Sequence, residues 1–279
     1  MKTILVPVDF SETSANALKY AADFSKDIDV DRIILLKSVY LSMYAQLLPS
    51  ADFVQLSTVD IDSARREAEE QLKDIGHKFI KVCDQSIKVE TAISELPLLR
   101  AIHQVIEEQR PNLLIAGSGG TSFLDESYIG GQVVAIAKTS AIPILIIPSK
   151  VKYQTVEKAL VPCDFAAIDR LGVLDKIPGS KKWINPELLV LNISTRPKHQ
   201  IENDGHTTAL KELLDNYKYK VYCEECDNTV KGILEFAQKH NAQLIIALPG
   251  KYSFFYSFTH KSITDALAQN TSHPVLILK

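Results

Sequence analysis

Residues 113–132 read LLIAGSGGTSFLDESYIGGQ, and this stretch decides the predicted fold. It begins as a short apolar strand and then turns through Gly117 and Gly120. A second glycine pair, Gly130 and Gly131, stands where the next helix is predicted to begin. Glycine lets backbone N–H groups approach a ligand without a Cβ in the way, and a helix N-terminus supplies unpaired donors and a partial positive charge. The stretch therefore predicts a strand, a loop that cradles a phosphate, and a helix.

Apolar strands alternate with helices around this stretch. Strands are predicted at 2–9, 32–39, 87–94, 112–117 and 142–148, and helices at 12–26, 60–81, 97–109 and 130–140. Such alternation predicts a doubly wound, Rossmann-like α/β fold with five parallel strands in the order 3-2-1-4-5. Strand order then reverses between the first and fourth strands, which end at Asp9 and Gly117. Open α/β sheets bind ligands at such a reversal, so we predict the site there.

The pattern of strands begins again in the second half of the chain. KALVPCDF at 158–165 repeats the first apolar strand, so Asp164 stands where Asp9 stood. Later apolar strands repeat as well, and self-similarity at this scale indicates a duplicated unit. We therefore predict two tandem lobes, residues 1–150 and 151–279.

Composition excludes several functional classes. Hydrophobic residues make up 46% of the 279 residues, charged residues 23%, and the formal net charge is −3. Without a basic excess or a basic run, general nucleic-acid or anionic-membrane binding is not expected. The apolar runs are far shorter than a membrane span, and the first is too short for a signal-peptide core. We predict a cytoplasmic protein.

The cysteines offer one motif, Cys223-Glu-Glu-Cys226, which has the spacing of half a zinc site or a redox pair. No second pair completes four ligands. In a strand, residues three apart also point to opposite faces. The motif is therefore interpreted as two structural thiols, with metal or redox chemistry as the weaker alternative.

The lobe start ILVPVDFS, the G-x2-G-x9-G element and the closing strand IPILIIP together resemble the universal stress protein family, over essentially the whole chain as two tandem copies. The resemblance implies an adenine nucleotide such as ATP, with the first-strand aspartate near the ribose and phosphates and the end of the second strand against adenine. It also implies lobes that pair through their fifth strands, and leaves a homodimer open. The candidate site residues are Pro7, Val8, Asp9, Ser38, Val39, Gly117, Gly120, Gly130, Gly131 and Gln132.

Two departures bear on the first lobe. Gly131 replaces the hydroxyl residue that closes the family's motif, and a hydrogen bond to a charged group is worth roughly 1.5–3 kcal/mol. The loop before it carries Asp125 and Glu126 and no basic residue. These carboxylates would repel a triphosphate unless they face solvent or a divalent cation such as Mg²⁺ intervenes.

The second lobe has lost the glycine element. The residues expected at its four motif positions are Ala247, Gly250, His260 and Lys261. We therefore expect this lobe not to bind ATP in the family manner. Its loop carries an aromatic cluster that either packs in the core or, if exposed, offers a surface to a partner protein or apolar ligand: Phe254, Phe255, Tyr256 and Phe258.

Three functions remain open at this point. The first is a stress-response or signalling protein that binds an adenine nucleotide in its N-terminal lobe. The second is a slow ATPase or self-phosphorylating protein, although such chemistry needs cationic charge on the transferred phosphoryl group and the glycine loop has no Lys or Arg. The third is a nucleotide-free interaction module. In that case Gly117 and Gly120 only shape a turn, and Asp9 only caps the first helix.

Overall fold

The computed structural model describes residues 2–40, 58–118, 129–176, 186–194, 204–248 and 273–279. Most of the 40–59 loop, Gly120 and the predicted aromatic cluster therefore lie outside the described residues. None of the helices within the described ranges combines the length and the apolarity that a membrane span requires.

The elements follow one another as predicted in the first half. It contains β1 (Thr3–Pro7), α1 (Glu12–Asp27), β2 (Arg32–Ser38), α2 (Thr58–Ile80), β3 (Lys88–Ser94), α3 (Leu98–Gln109), β4 (Leu113–Ser118), α4 (Ile129–Thr139) and β5 (Ile144–Pro148). The second half contains β6 (Lys158–Pro162), a 3₁₀ segment (Phe165–Lys176), β7 (Glu187–Ser194), α5 (Asp204–Leu214), β8 (Tyr219–Glu225), α6 (Thr229–Lys239), β9 (Leu244–Ala247) and β10 (Val275–Ile277). The first-half predictions are confirmed, with small differences at the ends of elements.

Both halves contribute to one sheet, whose strand order is β3-β2-β1-β4-β5-β10-β9-β6-β7-β8. Each half therefore has the predicted 3-2-1-4-5 order, and the fold class is confirmed. The halves meet where β5 and β10 pair antiparallel, with Ile146 opposite Val275 and Ile144 opposite Ile277. This is the pairing of fifth strands that the resemblance implied.

The sheet is covered on both faces, which is why its central strands are apolar throughout. Alternate residues of a strand face opposite sides, and parallel sheets are buried on both. Val6 and Leu35 belong to the core on the α1 and α2 side, whereas Leu5 and Ile34 belong to the core on the α3 and α4 side. All five residues of β1 are buried.

The linker between β5 and β6 is attached to α1. The Asn16 side-chain amide donates to the carbonyl oxygen of Val151 at 2.9 Å. The Tyr153 hydroxyl donates to the carboxylate of Asp27 at 2.5 Å, and its ring lies edge-on to that of Tyr20 with 5.1 Å between centroids. The chain therefore enters the second half along the flank of the first helix.

Candidate functional site

The predicted crevice lies at the carboxyl ends of the strands around β1. Strand order reverses between β1 and β4. The registers of β1 with β2 and with β4 place Asp9 level with Ser38 on one side and with Ser118 on the other. The structure therefore brings the ends of the first, second and fourth strands together at one edge of the sheet, where the sequence placed the candidate site.

The turn from β1 into α1 is a network of short polar side chains. Ser11 is the N-cap, as predicted, and its hydroxyl oxygen accepts from the Ser14 N–H at 3.1 Å. The Asp9 carboxylate accepts from the Ser11 N–H at 3.0 Å and from the Ser11 hydroxyl at 2.5 Å. The Asp9 N–H in turn donates to the Ser14 hydroxyl oxygen at 3.4 Å. Asp9 therefore supports the N-cap residue Ser11, which itself caps the helix, and its charge lies where a helix N-terminus stabilises an anion.

Pro7 and Val8 form the floor of this turn. Both residues are buried, and the Val8 N–H donates to the Leu36 carbonyl at 2.7 Å, which extends the ladder between β1 and β2. The Val8 side chain belongs to the core beneath α1. These two residues therefore fix the position of the Asp9 backbone.

The end of β2 is tied to the connection that follows β3. The buried Ser38 donates its hydroxyl to the Leu96 carbonyl at 2.7 Å. The Val39 N–H donates to the Ser94 carbonyl at 2.8 Å. Both donors are thus used within the protein and attach the end of β2 to the end of β3.

Gly117 lies in β4 directly against the first turn of α1. A Cβ built on Gly117 would lie 2.7 Å from both the Cγ2 and the carbonyl oxygen of Thr13. A real Cβ does not tolerate such a distance to a backbone atom, so glycine is required here for packing. This packing role differs from the turn-shaping alternative for Gly117, and its contact with a ligand stays a prediction.

The second glycine pair lies at the start of α4. Gly130 and Gly131 follow Ile129, the first residue of that helix, and Gln132 comes next. The first turn contains no acidic residue, so no side-chain charge there opposes an anion near the helix N-terminus. The remaining glycine of the motif, Gly120, lies outside the described residues.

A cation beside the β1–α1 turn went unnoticed in the sequence. The Lys37 ammonium lies over the Phe10 ring, 4.9 Å from its centroid, within the range of a cation–π interaction. Phe10 has φ 67°, a left-handed conformation that is rare for a bulky residue and costs roughly 1–3 kcal/mol. One signal was available, because Lys37 is the one charged residue in the otherwise apolar run IILLKS.

The second half ends its first strand differently. The register of β6 with β7 places Asn192 where Lys37 stands in the first half. The buried Asn192 side-chain amide donates to the Cys163 carbonyl at 3.0 Å. The first half thus has a lysine ammonium over the Phe10 ring at this position, and the second half has an asparagine amide that donates to the backbone of the neighbouring strand.

The prediction that Ala247 occupies the Gly117 position is wrong by one residue. The registers of β1 with β4 and of β6 with β9 make Leu248 the counterpart of Gly117. Leu248 is buried in the core on the α1 side, whereas Ala247 faces the other core. Because strand side chains alternate, only Leu248 points the way a Gly117 side chain would. The other three predicted motif positions of this half lie outside the described residues.

The cysteines are free thiols. Burial raises the pKa of Cys163 to about 12 and that of Cys83 to about 11, so both thiols stay protonated near neutral pH. Cys223 is exposed in β8 and Cys226 follows that strand. Across the part of the chain that the structure describes, no group of three or more His, Cys, Asp or Glu residues could hold a metal ion.

Comparisons with known proteins agree on one family. The sequence profile of the universal stress protein family matches residues 1–148. Universal stress protein MJ0577 of Methanocaldococcus jannaschii is 26% identical over 160 residues, covering 53% of this chain and 96% of that protein. MJ0531 of the same organism is 23% identical over 147 residues, covering 52% and 81%.

Solved structures extend the likeness to both halves. A universal stress protein from Archaeoglobus fulgidus covers 99% of this chain and 96% of its own, with a TM-score of 0.69 and 22% identity. That likeness shows the fold of the whole chain. A universal stress protein solved in complex with cAMP covers 52% of this chain and 96% of its own, with a TM-score of 0.33 and 16% identity.

Proposed function

Because the chain belongs to the universal stress protein family, we propose that it is a stress-response or signalling protein whose N-terminal lobe, residues 1–150, binds an adenine nucleotide such as ATP. The C-terminal lobe, residues 151–279, does not bind a nucleotide in this manner and serves packing or partner contact. A location in the cytoplasm is part of the same proposal.

One observation carries the proposal: strand order reverses between β1 and β4, and each of these two strands is followed by a helix. The Asp9 turn opens α1 after β1, and α4 opens after β4. Crevices at this point of doubly wound sheets hold nucleotides, with phosphates at a helix N-terminus. The glycine-rich start of α4 therefore takes the phosphates, through the N–H groups of Gly130 and Gly131.

Asp9 suits the ribose in this arrangement. Its carboxylate is oriented by the two bonds from Ser11. The adenine lies toward the end of β2. Its amino group would donate there to a backbone carbonyl, because the Val39 N–H already donates within the sheet.

Lys37 supports an anionic ligand rather than a catalytic role. Its ammonium lies beside the β1–α1 turn and adds positive charge near the proposed phosphates. Mg²⁺ would accompany a triphosphate and neutralise part of its charge. Transfer of a phosphoryl group needs several cationic groups and a residue that orients the nucleophile. Among the described residues around the crevice, Lys37 is the cation seen in contact with the β1–α1 turn. One cation is fewer than phosphoryl transfer needs, so we propose that the protein senses the nucleotide and does not hydrolyse it.

The test is direct measurement of binding. Isothermal titration with ATP, ADP, AMP and cAMP, each with and without Mg²⁺, is expected to give one site per chain. Asp9→Asn should weaken binding at least about tenfold, the loss expected when a hydrogen bond to a charged group is removed. Asp164→Asn, the matched change in the second lobe, should leave it unaltered.

Two other results would replace the proposal. Failure of every nucleotide to bind would favour the nucleotide-free interaction module. Steady release of phosphate from ATP, abolished by Asp9→Asn, would favour the slow ATPase. A radiolabel transferred from ATP to the chain would indicate self-phosphorylation.

A further inference from the structure

A groove runs between α1 and α2 on the α1 face of the sheet. Its volume is about 490 Å³, within the range of roughly 300–1,000 Å³ that is typical of small-molecule sites. One stripe of α1, from Ser11 to Lys26, lines one wall. These residues are 15 apart, so the wall is about 22 Å long at 1.5 Å per residue. The groove therefore has the proportions of an extended chain rather than of a compact ring system.

The floor of the groove is apolar. Leu18 and Ala22 of α1 face Phe79 of α2 across it, and all three belong to the core beneath the helices. At the end of α2 the lining continues to Val82, which is 53% exposed, and Ile80 beside it is 47% exposed. Exposed aliphatic side chains that continue a groove are typical of a surface that an apolar group covers.

The charges on the rim are mostly positive. Lys19, Lys26 and Lys78 line the groove together with one carboxylate, Asp23. Asp23 pairs with Lys26 at 2.8 Å, so this pair contributes no net charge. Lys19 and Lys78, which belong to opposite walls, leave the rim net positive. Lysine stems can lie along apolar surface while their ammonium groups stay in water.

An apolar channel with a cationic rim complements one class of small molecule, a single alkyl chain that ends in an anion. We propose that the groove between α1 and α2 binds a long-chain fatty acid. Its chain lies over Leu18, Ala22 and Phe79, and its carboxylate lies between Lys19 and Lys78. At one end the groove adjoins the proposed nucleotide site, because Val8, Phe10 and Ser11 line it there; the alkyl chain lies along the rest of α1. Displacement measured without nucleotide tests the fatty-acid site by itself.

The test uses dodecanoate and two probes with the same tail, dodecanol and dodecyltrimethylammonium. Each competes with the fluorescence of bound cis-parinaric acid on the full chain, below its critical micelle concentration and without nucleotide. Dodecanoate should displace the probe best, and the ammonium compound should be roughly tenfold weaker or worse, because one lysine pair at a rim gives up to about tenfold in affinity.

Two variants locate the site. Ala15 lines the groove and is exposed, so Ala15→Trp should fill the channel without disturbing the core and abolish displacement by dodecanoate. Ala64→Trp is the matched control, because Ala64 is an exposed alanine of α2 outside the groove lining. It should bind as the wild type does.

A second pair of variants locates the carboxylate. The double variant Lys19→Gln and Lys78→Gln should weaken dodecanoate roughly threefold to tenfold and leave dodecanol unchanged. The same changes at Lys211 and Lys231, exposed lysines of the second half, should alter neither. Equal displacement by the anionic and cationic probes, binding that survives Ala15→Trp, or no displacement at all would each overturn the proposal.

Discussion

The two lobes share their strand order but differ where their first strands end. After Asp9 a sixteen-residue α-helix begins, capped by Ser11. After Asp164 the chain forms a 3₁₀ segment, Phe165–Lys176, instead. The strands are fixed by burial on both faces, which both lobes need equally. The ends of the strands carry no such requirement, so the helix and its N-cap can differ between the lobes while the strands stay the same.

Changes to Leu248 and Gly117 should have the largest effects. These residues are counterparts in the two lobes: a buried leucine fills the space beside the strand in one lobe, and the first turn of α1 fills it in the other. Leu248→Ala removes most of a buried side chain from the second lobe. It should lower the free energy of unfolding by about 2–5 kcal/mol, the usual cost of such a cavity. Urea denaturation monitored by circular dichroism measures it. A loss below that of an exposed substitution such as Val221→Ala would contradict the assignment of Leu248 to the core.

Gly117→Ala places a methyl group against the backbone of Thr13. We expect a cost of about 1–3 kcal/mol, as for other overpacked sites, and weaker nucleotide binding because the first turn of α1 must move. Gly172→Ala is the control, since among the described residues a Cβ there would meet a Leu213 methyl at an ordinary 3.6 Å. Equal stability of the two variants would show that α1 is not pressed against β4.

Lys37→Asn gives the first lobe the residue that the second lobe has at this position. If Lys37 contributes to the charge of the nucleotide site, the affinity for ATP should fall about tenfold, equivalent to about 1.4 kcal/mol. Its dependence on salt should fall as well. Titration at two salt concentrations measures both effects. An unchanged affinity would confine Lys37 to its contact with Phe10.

Ser11→Ala removes the N-cap of α1, the helix that the second lobe replaces by a 3₁₀ segment. It should cost about 1 kcal/mol, within the range of N-cap substitutions. It should also remove the bond that the Ser11 hydroxyl donates to Asp9, while the bond from the backbone N–H stays. Asn228→Ala is the matched change at the α6 N-cap, where the Asn228 side chain accepts from the Lys231 N–H at 3.0 Å. Stability should fall in both variants, whereas nucleotide binding should fall only in Ser11→Ala.

Cys163→Val should have the smallest effect, because it copies Val8 from the first lobe. Near pH 7 both side chains are uncharged and they differ by about one methyl group, so the cost should be below about 1.5 kcal/mol. Burial raises the pKa of Cys163 from its ordinary value of 9.0 to about 12. Above pH 9 the unfolded chain therefore loses its proton first, and stability falls as pH rises.

The valine variant lacks this pH effect. Relative to the wild type it should gain stability between pH 7 and pH 10, by less than about 1.4 kcal/mol per pH unit. Urea denaturation at the two pH values measures the difference. If the free energy of unfolding changed with pH by the same amount in the wild type and the variant, the Cys163 thiol would not be protected from ionisation in the folded protein.

Strands and their order were predictable because buried parallel strands leave continuous apolar runs. Ser11 was predictable for a similar reason, since a hydroxyl before a helical stripe is a local signal. The counterpart of Gly117 was misplaced at Ala247 because alanine is more similar to glycine than leucine is, whereas strand pairing in the sheet allows only one register. The contact of Lys37 with Phe10 depends on a left-handed backbone at a phenylalanine, which no local propensity predicts.

The junction of β5 with β10 has a consequence for how this protein responds to dilution. Two separate chains that pair by their last strands come apart as their concentration falls, and their stability depends on mass action. Here both partners belong to one polypeptide, so the effective concentration of each for the other is set by the linker alone. The pairing of β5 with β10 therefore does not depend on the expression level. A single molecule keeps both halves of the sheet together even in a cell that makes very few copies.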